Sequence, residues 1–183
     1  MNIKIKNALL ALFERHKVAW ELEQESLPQQ QFDDQWSSPC EIEKMGNDMV
    51  TWSPVARDIA LTLQNIEEAL ELTLHPSIHT LFCSYYAGGI ACLFEEHPIE
   101  LIFPWNEDDF KLLQENMIAH FLMQKRLNKP ASMFIASCSD EMQVISILNA
   151  TGEVQLETLG KKQEAILASN LADFLDKLQP VAT

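Results

Sequence analysis

The sequence predicts a single α+β domain in which a largely antiparallel or mixed β-sheet is backed by helices. Three observations carry this. Candidate elements run helix, strands, helix, hairpin and strand, long helix, strands, helix, which is not the βαβ alternation of a parallel sheet. The chain has 183 residues and is 47% hydrophobic, enough for one buried core. No internal repeat or low-complexity block divides it. One domain is expected over 1–183, with an N-terminal helix and irregular connection in 1–37 and the core in 38–183.

Ile5, Ala8, Leu9, Leu12, His16, Ala19 and Trp20 recur at three-and-four spacing, so the first element is an amphipathic helix. Its polar positions Lys4, Lys6, Arg15 and Lys17 are basic, as on a membrane-surface helix. The His and small residues in its apolar stripe favour docking on the chain's own core. Gln24–Ser38, rich in Gln, Pro, Ser and Asp, is expected to be an exposed irregular connection. Glu41-Ile42-Glu43 alternates like a short strand, and Val50-Thr51-Trp52 offers a second, ended by Pro54.

Asn65–Leu74 reads as a helix with Ile66, Ala69, Leu70 and Leu74 inward and Glu67, Glu68 and Glu71 outward. Glu67 and Glu71 then form an i, i+4 like-charge pair, costing roughly 0.2–0.5 kcal/mol, which packing can absorb or a site can retain. Ile78–Tyr86 and Ile90–Phe94, joined at Gly88-Gly89, read as a β-hairpin, with Ile99–Phe103 as a third strand stopped by Pro104. Asn106 can cap a long helix to about Asn128, with Glu107, Asp108 and Asp109 in its first turn and Lys125 and Arg126 in its last. Phe110, Leu113, Met117, Phe121 and Leu127 mark its buried face. Met133–Ala136 and Val144–Leu148 are strands, and Thr151-Gly152 turns the chain into Glu153–Glu157. A final helix begins near Ser169 or Asn170 and buries Leu171, Phe174, Leu175 and Leu178.

Charge is segregated along the chain. Between Val18 and Asp109 stand eighteen carboxylates and only two basic residues, Lys44 and Arg57, a net −16 within a total of −14. A negative field of this kind calls for a basic partner and opposes nucleic acid and anionic lipid. Acidity also keeps proteins soluble, but solubility needs no separation of signs.

Several classes lack their signals. The N-terminus has neither the apolar run nor the cleavage site of a signal peptide. Leu72–Phe94 lacks Asp, Glu, Lys and Arg, yet its His, Pro, Ser and Gly residues suit sheet better than a membrane span. Cys40, Cys83, Cys92 and Cys138 form no CxxC pair; free thiols are expected, with Cys83 and Cys92 as core residues of strands. There is no P-loop, GxGxxG, EF-hand loop or Ser nucleophile elbow. His75 and His79 are split by Pro76, which predicts extended or turn structure rather than helical metal geometry. His120 fits a core histidine. Asp108 and Asp109 have two readings: helix-dipole complement, or paired carboxylates for acid–base work. On an exposed first turn they also remain available to a basic ligand. No metal or cofactor is expected.

Trp105–Phe110, Gln114–Ile118, Gln124–Leu127 and Phe134–Ala136 form one distinctive series. Thr151–Val154, Glu157–Gly160 and Leu167–Ala172 form another, and Ser38–Cys40 and Pro76–Thr80 accompany them. In order and spacing these segments resemble the bacterial Syd family of SecY-interacting proteins, from about Ser38 onward and most densely after Trp105. The resemblance implies an α+β fold shared with immunity-type proteins and no enzymatic activity. It implies a cytosolic protein, peripheral on the cytoplasmic face of the inner membrane. It also implies binding to SecY cytoplasmic loops through a concave acidic groove, checking or limiting faulty translocon assembly. Asp108 and Asp109 fall in matching motifs, and Glu67 and Glu71 fit the acidic helix before His79. Glu107, Glu41, Glu43 and Asp48 join them as partner-binding candidates on charge density. Trp52 and Trp105 are candidate aromatic anchors. Two alternatives stand beside this reading: an immunity-type inhibitor of a basic toxin, and a metal-dependent hydrolase using His75, His79, Asp108 and Asp109.

Overall fold

Asn2 opens the fold. Its side chain accepts the Lys4 N–H and caps α1, Ile3–Gln24. The computed structural model describes residues 2–46, 48–57, 62–158 and 165–183; Asp58 and the Leu159-Gly160 end of one motif lie outside these. α1 buries Ile5, Ala8, Leu9, Leu12, Phe13, His16 and Trp20, so its apolar stripe docks on the protein's own core. Trp20 Nε1 donates to His16 Nε2 at 3.1 Å. Burial lowers the His16 pKa to about 4, because a charged imidazole would be desolvated there.

The Gln24–Ser38 connection is not wholly irregular. It contains β1, Gln29–Gln31, paired antiparallel with β3, Met49–Trp52, whose other neighbour is β2, Glu41–Met45. β1 is an all-Gln edge strand of half-buried and exposed side chains, so no apolar alternation announces it. β3, the central strand, is buried at the three successive residues Val50, Thr51 and Trp52, hence on both faces. β4, Val55–Ala56, pairs with β5, Tyr85–Tyr86.

α2 spans Gln64–Leu70, not Asn65–Leu74. Glu71 stops it in the left-handed conformation, φ 53°, so Glu67 and Glu71 do not share a helical face. The expected strand Ile78–Tyr86 is mostly helix: α3 runs Pro76–Ser84. Pro76 occupies the first turn, where a missing N–H costs nothing, and the His75 side chain caps by accepting the Ser77 N–H. Ser77, Ile78, Thr80, Leu81, Phe82, Cys83 and Ser84 are all buried, so the helix is enclosed on nearly every side. Cys83 is therefore a helical core residue, and burial pushes its thiol up to about 11; Cys92, on the strand Ile90–Phe94, is pushed up to about 12.

The hairpin lies one element later, between β6, Ile90–Phe94, and β7, His97–Leu101. Glu95 and Glu96 form its two-residue turn, both at positive φ, 49° and 74°, as a type I′ turn requires. Gly88 serves a close approach instead: an added Cβ would lie 2.9 Å from the Trp52 ring. α4, Glu107–Arg126, follows its Asn106 cap as expected. β8 (Ser132–Cys138), β9 (Gln143–Leu148), β10 (Val154–Thr158) and β11 (Ala165–Ala168) form the second half of the large sheet. α5, Leu171–Lys177, is capped by Asn170, and β12 is Gln179–Pro180. The sheet order is β11-β10-β9-β8-β7-β6-β12, antiparallel throughout. The expected α+β class with a largely antiparallel sheet is the observed one.

Candidate partner interface

The first turn of α4 is where the fold gathers acidic side chains. Asn106 Oδ1 accepts the Asp109 N–H at 2.8 Å, and Asp109 Oδ2 accepts the Trp105 N–H at 2.7 Å. This reciprocal closure resembles a capping box and satisfies donors that the helix end would otherwise strand. A loop is strapped across it. Trp105 Nε1 donates to the Trp36 carbonyl at 3.1 Å, Asn106 Nδ2 to the Ser37 carbonyl at 2.9 Å, and the Ser38 hydroxyl to the Trp105 carbonyl. Glu41 joins the same strap by accepting the Ser38 N–H at 2.9 Å. Glu41, Glu107, Asp108 and Asp109 are thus brought to one region.

Each plays a different part there. Glu107 Oε2 accepts the Tyr86 hydroxyl at 2.6 Å and lies 3.6 Å from Arg57 Nη2. Arg57 is buried between the Phe110 and Tyr86 rings, 3.8 and 4.4 Å from their centroids, and donates Nη1 to the Phe82 carbonyl. Burial, then the bond to Glu107, holds the Tyr86 hydroxyl above its ordinary pKa. Asp108 is exposed and pairs with Lys111 Nζ at 2.8 Å. Asp109 belongs to the cap.

The other candidates lie on separate elements. Glu67 Oε1 accepts the Leu74 N–H at 2.7 Å and meets His79 Nε2 at 3.2 Å. The Leu74 bond is the main reason its carboxyl sits below the usual range. α2 is tied to α4 through Asn65 Nδ2 and Gln114 Oε1, 2.6 Å apart. Glu71 is exposed at the α2 terminus. Glu43 stands exposed on β2, and Asp48 lies in the β2–β3 turn at φ 54°. Asp48 shares a shallow depression with Asp33 and Asp34, which sequence reasoning missed because the pair sat inside a supposed connection.

Trp52 and Trp105 are 2% and 6% exposed and stack edge-to-face at 6.0 Å, so they are core residues and not surface anchors. Exposed apolar side chains occur elsewhere. Leu10 (51%) and Ile42 (56%) line a cleft of about 450 Å³ between α1 and the three-stranded sheet, with Phe13, Pro54 and Tyr85. Leu10 could have been found as an apolar residue off the α1 core stripe; Ile42 was visible within Glu41-Ile42-Glu43.

His75 and His79 serve local structure. His75 Nδ1 lies 2.7 Å from the Ser77 hydroxyl at the α3 cap, and His79 meets Glu67. Pro76 begins a helix here rather than the extended run expected. Among the described residues, no group of three or more His, Cys, Asp or Glu side chains is placed to hold a metal ion. Nor, among them, is any helix long and apolar enough to cross a membrane.

The family model described as Syd protein (SUKH-2) matches residues 6–180. Protein Syd of Psychromonas ingrahamii is 60% identical over 181 residues, covering 99% of this chain and 98% of that protein. Protein Syd of Aliivibrio fischeri strain MJ11 is 39% identical over the same shares. Protein Syd of Pectobacterium carotovorum is 39% identical over 182 residues, the whole of both chains. With similarity along its full length and the motifs of the α4 turn inside it, the chain belongs to the Syd family.

Proposed function

We propose that this protein is a non-enzymatic binding module that docks on the basic cytoplasmic loops of SecY and regulates or quality-checks translocon assembly. It then works in the cytoplasm, peripheral on the inner membrane through its protein partner. Family membership supports the Syd role. The observation that carries the mechanism is the segregated charge: a −16 segment contains Glu41, Glu43, Asp48, Glu67, Glu71, Glu107, Asp108 and Asp109. Cytoplasmic loops of membrane proteins are rich in Lys and Arg. Facing charges speed encounter and set orientation, while apolar contacts lengthen residence. Leu10 and Ile42, beside Glu14 at the cleft, offer such contacts.

A photoreactive side chain placed at Glu43, Asp108 or, as a control, the exposed Asp176 of α5 tests this in SecYEG membranes. Cross-links to SecY from the first two and not from the third are expected. Equal yields from all three would remove the acidic groove. No cross-link from any would favour an immunity-type inhibitor.

A further inference from the structure

A second, chemically different site lies in the other half of the molecule. Among α4, β8, β9 and β10 a pocket of about 220 Å³ is walled by Met123, Leu127, Phe134, Met142 and Val144. That is smaller than the ~300–1,000 Å³ of ordinary ligand pockets and suits one long side chain. Met123, Leu127 and Met142 remain 42%, 56% and 51% exposed at its mouth.

The pocket is also lined by a carboxylate that the acidic surface does not explain. Glu157 is 7% exposed. Its Oε1 accepts the Ser132 hydroxyl, the Ser146 hydroxyl and Gln155 Nε2. Donor directions are fixed from behind. Gln124 Nε2 donates to Ser132 Oγ, and Gln155 Nε2 donates to Ser146 Oγ, so each hydroxyl turns its own hydrogen to Glu157. Three donors thus converge on one oxygen of a side chain that is held as an acceptor at the pocket wall. His120 lines the same space. Its Nε2 is buried without a hydrogen-bond partner, while its ring also engages the Ser132 backbone. Burial disfavours the charged ring, and with its other nitrogen donating to the Ser132 backbone, Nε2 is the one left with a lone pair. One charge of each sign, Lys129 and Glu141, also lines the pocket.

Apolar walls and two acceptors, one of them anionic, define the complementary ligand. We infer that this pocket receives an aliphatic chain tipped by a guanidinium or ammonium group, the side chain of an Arg or Lys on a basic polypeptide. The stem packs on the methionines and leucine, and the head reaches Glu157 and His120 Nε2. None of these residues belongs to the acidic surface of the proposed function, so either site can fail alone.

The test uses the full chain with methyl-labelled methionine, titrated by NMR with n-butylguanidinium, n-butylammonium and n-butanol. The Met123 and Met142 methyl signals are expected to shift saturably with at least one cation, and at least fivefold more weakly with the alcohol. Glu157→Gln is expected to weaken cation binding at least tenfold with the near-UV circular dichroism unchanged. Should Glu157→Gln disturb the fold, Met142→Trp at the exposed mouth decides, and is expected to block the shift at Met123. The proposal is overturned by no saturable shift, by equal binding of n-butanol, by unchanged affinity in folded Glu157→Gln, or by unchanged affinity in Met142→Trp.

Discussion

The carboxylates of the α4 turn and those of the β2–β3 hairpin carry the same charge but stand in different relations to the fold. Asp109 closes a helix cap, Glu107 meets Tyr86 and Arg57, and Glu41 holds the Ser38 loop. Glu43 and Asp48 instead project from a strand and a turn on the exposed side of a small sheet. Changing the first group alters the surface and its scaffold together. Changing the second alters the surface and, at Asp48, only the left-handed turn beneath it. A loss of binding is therefore interpretable at the hairpin and ambiguous at the helix.

The largest expected break in that contrast is Trp105→Ala. It deletes a buried ring stacked on Trp52 and the donor to the Trp36 carbonyl, and should cost about 3–5 kcal/mol in urea unfolding. A loss below about 1 kcal/mol would mean that the strap does not organise the turn. Next comes pH. His16 stacks on Trp52 at 5.6 Å, so it belongs to the same aromatic chain. Unfolded, the imidazole takes a proton near 6.5; folded, only near about 4. Between those values the unfolded state binds more protons, so this contribution is complete above pH 6.5 and is lost as pH falls toward 4, by at most about 3 kcal/mol. Urea midpoints at pH 7 and pH 5 should differ in the wild type and differ less in His16→Gln.

Asn106→Ala should cost about 1 kcal/mol through the lost cap. Once corrected for the unfolded fraction, its partner affinity should change little. The smallest stability effect belongs to Glu43→Lys with Asp48→Lys, within about 0.5 kcal/mol for each change. The same pair should weaken partner association by about three- to tenfold, since each exposed charge contributes little. Destabilisation of that double variant beyond about 2 kcal/mol would erase the contrast between helix and hairpin.

Legibility followed how locally each element is determined. Asn106 and Asn170 announce their helices through side chains that bond three residues ahead, so both starts were readable. The strands at Met133–Ala136, Val144–Leu148 and Glu153–Glu157 were readable as short runs bounded by turns, whereas β11 was not expected. α3 was misread because a short apolar run buried on nearly every side reads equally as a buried strand; His75-Pro76, a cap followed by proline, was the overlooked signal. β1 carries only glutamines and is defined by its pairing with β3, a contact no local pattern encodes. Of the site, the acidic residues were legible as charge. Their division into scaffold and free surface was not, because Asp109 bonds a backbone N–H and Glu67 reaches across a turn to Leu74. Glu157 was invisible as a buried charge, since Ser132 and Ser146 come from two other strands.

The most direct test is binding of the purified protein to SecYEG nanodiscs, against empty nanodiscs, from low salt to physiological strength, where the Debye length is about 8 Å. Binding to SecYEG discs alone, weakening as salt rises and weaker again in Glu43→Lys with Asp48→Lys, is the predicted result. No binding at low salt, or binding indifferent to both salt and charge reversal, would contradict docking through the acidic surface.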